Sequence, residues 1–354
     1  MFSRIKYITS QYVDNLNNIS VFTESVLNKR SIIAELKSLS LNKEQALLVD
    51  NLCSENFRKM YYNASIIGIY SCYESFVDML LCEFLEIILG ECDKDDKLLP
   101  KSIRQKYKDE YLSFLSNENR FSHLDLKVDD VMENYMNFCN NNFLVADKEL
   151  IVNHHGNLSI NILIGLLASL AIKDSIKFIF SDNEFKDFIV DSYGETEESY
   201  AKKSNHGGMD YFRYLNDLVF HRNIIAHGWD DDSRLSVSDI LTKTIPFMKM
   251  FGSVLMKLIF VTYEKLFSDS SHGKVDVCPI DVFNHNIVCF HVENIDFSVG
   301  DYIIYGNKKK YKCAKIKRIE IDKKAVKKIE GVSSDIGAEL DRNISCSDQI
   351  YRII

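Results

Sequence analysis

A chain of 354 residues with 46% hydrophobic content can bury a full core and is long enough for two domains. Its formal net charge of -8 excludes a non-specific nucleic-acid coat, so any nucleic-acid contact has to be a local basic site in an acidic protein. The 9 Cys are scattered without a C-x-x-C pair, which points to free thiols in a reducing cytosol, and no Cys/His spacing suits a zinc site.

Only 3 Pro and 14 Gly punctuate the chain, so long uninterrupted helices are expected. Met1 to Tyr7 lacks the apolar region of a signal peptide. Residues 1 to about 60 read as helical, with a break near Leu39-Ser40-Leu41-Asn42 and a helix start at Lys43-Glu44-Gln45. A long helix follows from about Phe57 to Leu89, closed by Gly90. Pro100 opens a short helix, and residues 101 to 150 read as polar and mixed, with short helices at best.

Asn153 to Ser159 is a loop leading into an apolar helix, Ile160 to Ile172. Adjacent residues on regular structure point apart, so His154-His155 reads as a loop pair or cap rather than a metal-ligand pair. Another helix covers Ser175 to Val190, and a hydrophilic loop runs from Ser192 to Gly208. After an acidic turn at Asp230 to Ser233, Ser236 or Ser238 caps a last long helix reaching about Phe267. Pro246 is expected near its first turns or at a kink. The apolar runs 66 to 89 and 245 to 263 carry charges and the run 158 to 172 is short, so all three are read as core helices with no membrane span.

Beyond Ser268 to Gly273 the periodicity becomes alternating and short. Strands are expected at Ile287 to Val292, Tyr302 to Tyr305, Tyr311 to Ile321, Ala325 to Ile329, Ala338 to Leu340 and Gln349 to Ile354. The expected fold is mainly α: a helical domain over 1-270, with core helices at about 57-90, 158-190, 209-228 and 236-267, then a small antiparallel β-barrel over 278-354. Val299 to Ile304 and Ser347 to Ile353 are similar to segments of the second-domain barrel of translation GTPases.

The segment Phe220-His221-Arg222-Asn223-Ile224-Ile225-Ala226-His227-Gly228-Trp229 is the most informative. It ends an amphipathic stretch that begins at Tyr211, and Gly228 supplies a stop. Asn223 and His227, four apart, share a helix face, and Arg222 lies about 100° away, within reach of the same point. A permanent guanidinium charge beside an imidazole that titrates near neutrality is the minimum equipment for metal-free phosphodiester cleavage. His221 points away from His227 and reads as structural, and Trp229 as packing at the helix end. The alternative is that Arg222 bridges to Asp217 or Asp230 and His227 merely caps the helix.

Arg222, Asn223 and His227 match the R-(N/D/H)-x3-H signature, and the chain resembles the HEPN superfamily in this respect. The resemblance implies a metal-independent endoribonuclease of bacterial defence or toxin type, with no cofactor. It implies a homodimer in which two motifs face one RNA-binding cleft, on tRNA or mRNA, leaving 2′,3′-cyclic phosphate ends. The free thiols point to a cytoplasmic protein. A cognate regulator or antitoxin is a further partner that the resemblance allows, although Trp229 stands where some of these toxins carry a modified tyrosine. Glu74 resembles the first-helix glutamate that pairs with the motif arginine in some of these families; otherwise it faces water beside Asp78. A non-catalytic scaffold of the same fold that dimerises and binds a protein or nucleotide is the alternative.

Lys308, Lys309, Lys310, Lys315, Lys317 and Arg318 head a run of basic residues in the β-region. They read either as a phosphate-binding surface for RNA or as a solvated strand face whose edge lysines block aggregation.

Overall fold

The computed structural model describes residues 2–39, 41–93, 95–228, 235–268, 274–307, 310–331 and 333–354. Helices carry the first three quarters of the chain. They are α1 Ser3–Ser38, α2 Lys43–Cys53, α3 Glu55–Cys92, α4 Lys101–Ser116, α5 Val128–Cys139 and α6 Lys148–Val152. There follow α7 Ile160–Ser169, α8 Ser175–Ser181, α9 Asn183–Tyr193, α10 Glu197–Asn205, α11 Arg213–Ala226, α12 Val237–Asp239 and α13 Ile245–Leu266. A curled antiparallel sheet ends the chain, so the molecule is mainly α with a small β-domain.

Local chemistry explains the helix starts. Asn42 and Gln45 form a reciprocal capping box at α2. Ser54 accepts the Phe57 N–H at 3.2 Å to start α3, and Ser236 accepts the Asp239 N–H at 2.9 Å to start α12. Between α12 and α13, residues 240–244 widen into a π-turn directly before Pro246. Proline has no N–H to donate and its ring crowds the carbonyl four residues back, here that of Thr242, so the ladder loosens at that point.

Several expectations are corrected. Residues 192–208 do not form a loop throughout, because α10 lies within them, capped by Thr196 and anchored by the buried Tyr200. The helix expected over 175–190 is divided at Asp182 into α8 and α9. The long helix does not stop at Gly90 but continues to Cys92, because Leu89 and Cys92 are wholly buried and Gly90 is tolerated within the turn. Residues 101–150 are not mainly irregular. Ile103, Tyr107 and Phe114 on α4, and Val131 and Phe138 on α5, supply buried anchors at helical spacing. Their surroundings are polar enough to hide that period.

Residues 3–176 and 184–254 form one compact unit. Its centre is α3, whose residues 65–92 are buried on most of their surface. The Tyr12 ring of α1 stacks on Phe76 with centroids 4.2 Å apart, and its hydroxyl donates to the Met248 carbonyl at 3.1 Å. Gly252 lets α13 come this close: a Cβ there would lie 2.6 Å from Tyr12 Cε1. The stretch Val237–Leu266 is, among the described residues, the one long enough and apolar enough to cross a membrane, and 83% of its most apolar window is buried as a core helix.

Residues 177–183 and 255–354 form the second unit. Its strands are β1 Lys274–Val277, β2 Asp281–Phe283, β3 Ile287–Glu293, β4 Phe297–Ser298, β5 Tyr302–Asn307, β6 Lys310–Ile321, β7 Lys324–Val326, β8 Lys328–Ile329, β9 Ser333–Leu340 and β10 Gln349–Ile353. The main sheet runs β1-β10-β5-β6-β9-β3-β2, with β7 against β6, and curls as a half-barrel around Phe290, Ile303, Ile316, Ile336 and Ile350. β5 is buried from Tyr302 to Gly306. The core covers one face of β5, and on the other Tyr302 meets Phe260 of α13 with ring centroids 5.7 Å apart. On β10, Arg352 is fully buried and its Nε donates to Glu264 Oε2 at 2.5 Å.

Candidate active site

The site grows from α11. Tyr214, Leu215, Leu218, Val219, His221 and Ile224 recur at three- and four-residue steps and are buried. That period leaves Arg222 and Asn223 half-buried on the flank of the helix. His227 is the C-cap, exposed, with its backbone N–H on the Asn223 carbonyl at 3.0 Å. Gly228 leaves the helix at φ +67°, the left-handed conformation that favours glycine. His221 is buried edge-on to Tyr62 at 6.1 Å and is structural. Trp229 and Asp230 lie outside the described residues.

Arg222 is held by two contacts. Its Cζ lies 5.1 Å from the centre of the Tyr70 ring, and its Nη1 donates to Asn223 Oδ1 at 3.3 Å. Among the described residues it forms no ion pair, so the guanidinium is positioned without being neutralised. Asn223 Oδ1 also accepts from Asn157 Nδ2 at 2.6 Å. The loop before α7 is thereby tied to the motif.

Glu74 does not pair with Arg222 directly. Tyr70 stands between them, one turn before Glu74 on α3 and on the same face. Its hydroxyl donates to Glu74 Oε1 at 2.8 Å and accepts the Leu158 N–H at 3.0 Å. Burial pushes the Tyr70 phenol well above its ordinary pKa; the Leu158 N–H opposes this and Glu74 adds to it, so Tyr70 stays a neutral donor.

The loop brings His154 to this site, a role the sequence did not assign to it. His154 Nε2 lies 3.9 Å from Glu74 Oε1 and 3.8 Å from Asp78 Oδ1. Its Nδ1 is 2.7 Å from the Gly156 carbonyl, which orients the ring. His155 turns the other way, its Nε2 3.4 Å from Glu110 Oε1. Adjacent histidines thus diverge, as loop residues. Burial lifts the Asp78 carboxyl to about 6, with His154 and His123 opposing and Glu74 assisting the rise. A cleft of about 750 Å³ opens along this face of α3, lined by Ser71, Glu74, Asp78, Cys82, His123 and His154 among others. The density of Asn and His in 153–159 was the only sequence signal for this loop.

In the second unit, Lys310, Lys315, Lys317 and Arg318 lie exposed on β6. Arg318 is paired with Glu320 at 2.6 Å. Lys308 and Lys309 lie outside the described residues.

A helical domain whose R-N-x3-H motif closes a core helix, with an arginine cradled by the bundle's long helix, defines a HEPN domain. Residues 28–259 match the RiboL-PSP-HEPN family, about two thirds of the chain, and the chain belongs to that family. The curled C-terminal sheet lies beyond the match. No curated protein is significantly similar to the chain.

Proposed function

We propose that this protein is a metal-independent endoribonuclease of bacterial defence or toxin type, acting in the cytoplasm at a homodimer cleft. One observation carries the reading: Arg222 is fixed by Tyr70 and Asn223 yet has no carboxylate partner among the described residues. A cation oriented at such expense, with its charge left over, suits an anion arriving from outside.

Cleavage in this reading is an intramolecular transfer. The ribose 2′-oxygen gives its proton to one imidazole and forms a bond to phosphorus. The 5′-oxygen of the next nucleotide leaves, taking a proton from a second imidazole. The products are a 2′,3′-cyclic phosphate and a 5′-hydroxyl. Arg222 stabilises the crowded, doubly charged phosphorane between these states. One imidazole serves one proton transfer in a given state, so the second comes from His227 of another copy. Asn223 holds Arg222 in line, and Glu74 orients Tyr70 beneath it.

The test is incubation of the purified protein with RNA in EDTA, beside Arg222→Ala and His227→Ala. Cleavage leaving cyclic phosphate ends is expected, and each substitution should lower it by about 10²-fold or more. An oligodeoxynucleotide with a single ribose should be cut only at that ribose. If all three proteins leave RNA intact, the scaffold reading replaces this one.

A further inference from the structure

The second unit carries a cation surface that the motif chemistry does not use. Residues 308–328 hold eleven Lys and Arg against two acids, Glu320 and Asp322, in a chain whose net charge is -8. Arg318 and Lys328 are spent on Glu320 and Glu330, and Lys312 on Asp348. Lys315, Lys317, Lys323, Lys324 and Lys327 are all exposed, and among the described residues none of them forms an ion pair. Four like charges, Lys315, Lys317, Lys323 and Lys327, follow one another along the hairpin and its exit, and their combined positive potential favours an extended polyanion that tracks the same line.

Protection of a sheet edge does not account for Lys315 and Lys317. β6 is an interior strand, bonded along one side to β5 and then β7, and along the other to β9. Lys315 and Lys317 are two apart and point to the same, outer face. The turn between β6 and β7 has Asp322 and Lys323 at φ 48° and 64°, a tight two-residue reversal that presents Lys323 at its tip. No large apolar side chain of 310–328 is exposed, so the surface offers nothing to insert into a bilayer.

We propose that the outer face of the β6–β7 hairpin is a docking surface for the phosphate backbone of RNA, built from Lys315, Lys317, Lys323 and Lys327. Lysine is a point charge on a flexible stem, suited to tracking a backbone without reading bases. The surface would therefore bind without sequence preference. The choice of RNA over another polyanion rests on the ribonuclease reading; the charge arrangement does not.

The experiment uses the full chain and a fluorescent 2′-O-methyl RNA of 20 nucleotides, which resists 2′-hydroxyl attack, followed by anisotropy over a salt series. Four backbone contacts predict a slope of log K against log[salt] of about -2.8 for a single strand. Lys315→Ala, Lys317→Ala and Lys327→Ala combined should reduce it to about -0.7, with an unchanged melting temperature. A triple variant that binds with the parent's affinity and slope overturns the proposal, as does a parent that binds anionic phospholipid vesicles but not the RNA. Cleavage of a dinucleotide, whose single phosphodiester is the scissile one and leaves no further backbone for the lysines, is measured in parallel. Dinucleotide cleavage that persists while RNA binding ignores the lysines sinks the docking surface alone. Loss of dinucleotide cleavage in the parent sinks the nuclease reading alone.

Discussion

The Arg222 guanidinium lies 5.1 Å from the centre of the Tyr70 ring, so α11 and α3 meet through a cation and an aromatic face. An ion pair at this place would have spent the charge. The aromatic face attracts the cation through its quadrupole and leaves its outward N–H groups able to meet a phosphate.

Tyr70 has two separable roles. Tyr70→Phe keeps the ring but removes the donor to Glu74 and the acceptor of the Leu158 N–H. It should cost about 1–2 kcal/mol in urea denaturation, because a backbone N–H is left without its partner. RNA cleavage should fall far less in Tyr70→Phe than in Tyr70→Ala, which removes the platform as well. Equal losses of activity in the two variants would remove the ring from the account of Arg222.

Asp78 predicts a pH dependence of known sign. Its carboxyl titrates at about 6 in the fold against an ordinary value of 3.8. The folded state holds this proton more tightly than the unfolded chain. The resulting stability is fully present below about pH 4 and is lost as pH rises through 6. Asp78→Asn should melt higher than the parent above pH 6, by no more than about 1 kcal/mol because the side chain is 41% exposed. The two melting curves should converge near pH 4. A parallel pair of pH profiles would contradict the assignment.

The Arg352–Glu264 pair ties β10 to α13 with both side chains buried. Arg352→Met leaves a carboxylate in the interior and should cost about 3–5 kcal/mol. Arg352→Met with Glu264→Leu should recover most of that. Burial holds the Glu264 carboxyl above its ordinary pKa even against Arg352, so acid should partly rescue the single variant by protonating it. A thermodynamic double-mutant cycle with no coupling energy would show the pair to be dispensable.

Gly252 marks where α13 approaches α1. A methyl group there would meet the Tyr12 ring, which is wholly buried and stacked on Phe76 and so has nowhere to move. Gly252→Ala should cost about 1–3 kcal/mol from overpacking, despite alanine's better helix propensity. Combining it with Tyr12→Leu should relieve part of the loss in the same denaturation assay. A Gly252→Ala protein as stable as the parent would mean that α13 can shift away.

The sequence by itself determined the helices, the switch to strands near residue 270 and the motif. Each rests on a local rule: the 3.6 period, a capping side chain, or a glycine at positive φ. It hid α10 and the full extent of α4 and α5, whose few buried anchors sit among polar residues, and it left open what Glu74 touches. Tertiary structure alone decided that Tyr70 comes between Glu74 and Arg222, and that Asn157, 66 positions before Asn223, binds it. It also decided that Lys315 and Lys317 lie on an interior strand. Contacts between residues far apart in the chain depend on which faces pack together, and that is set by the whole core at once rather than by any one segment's period.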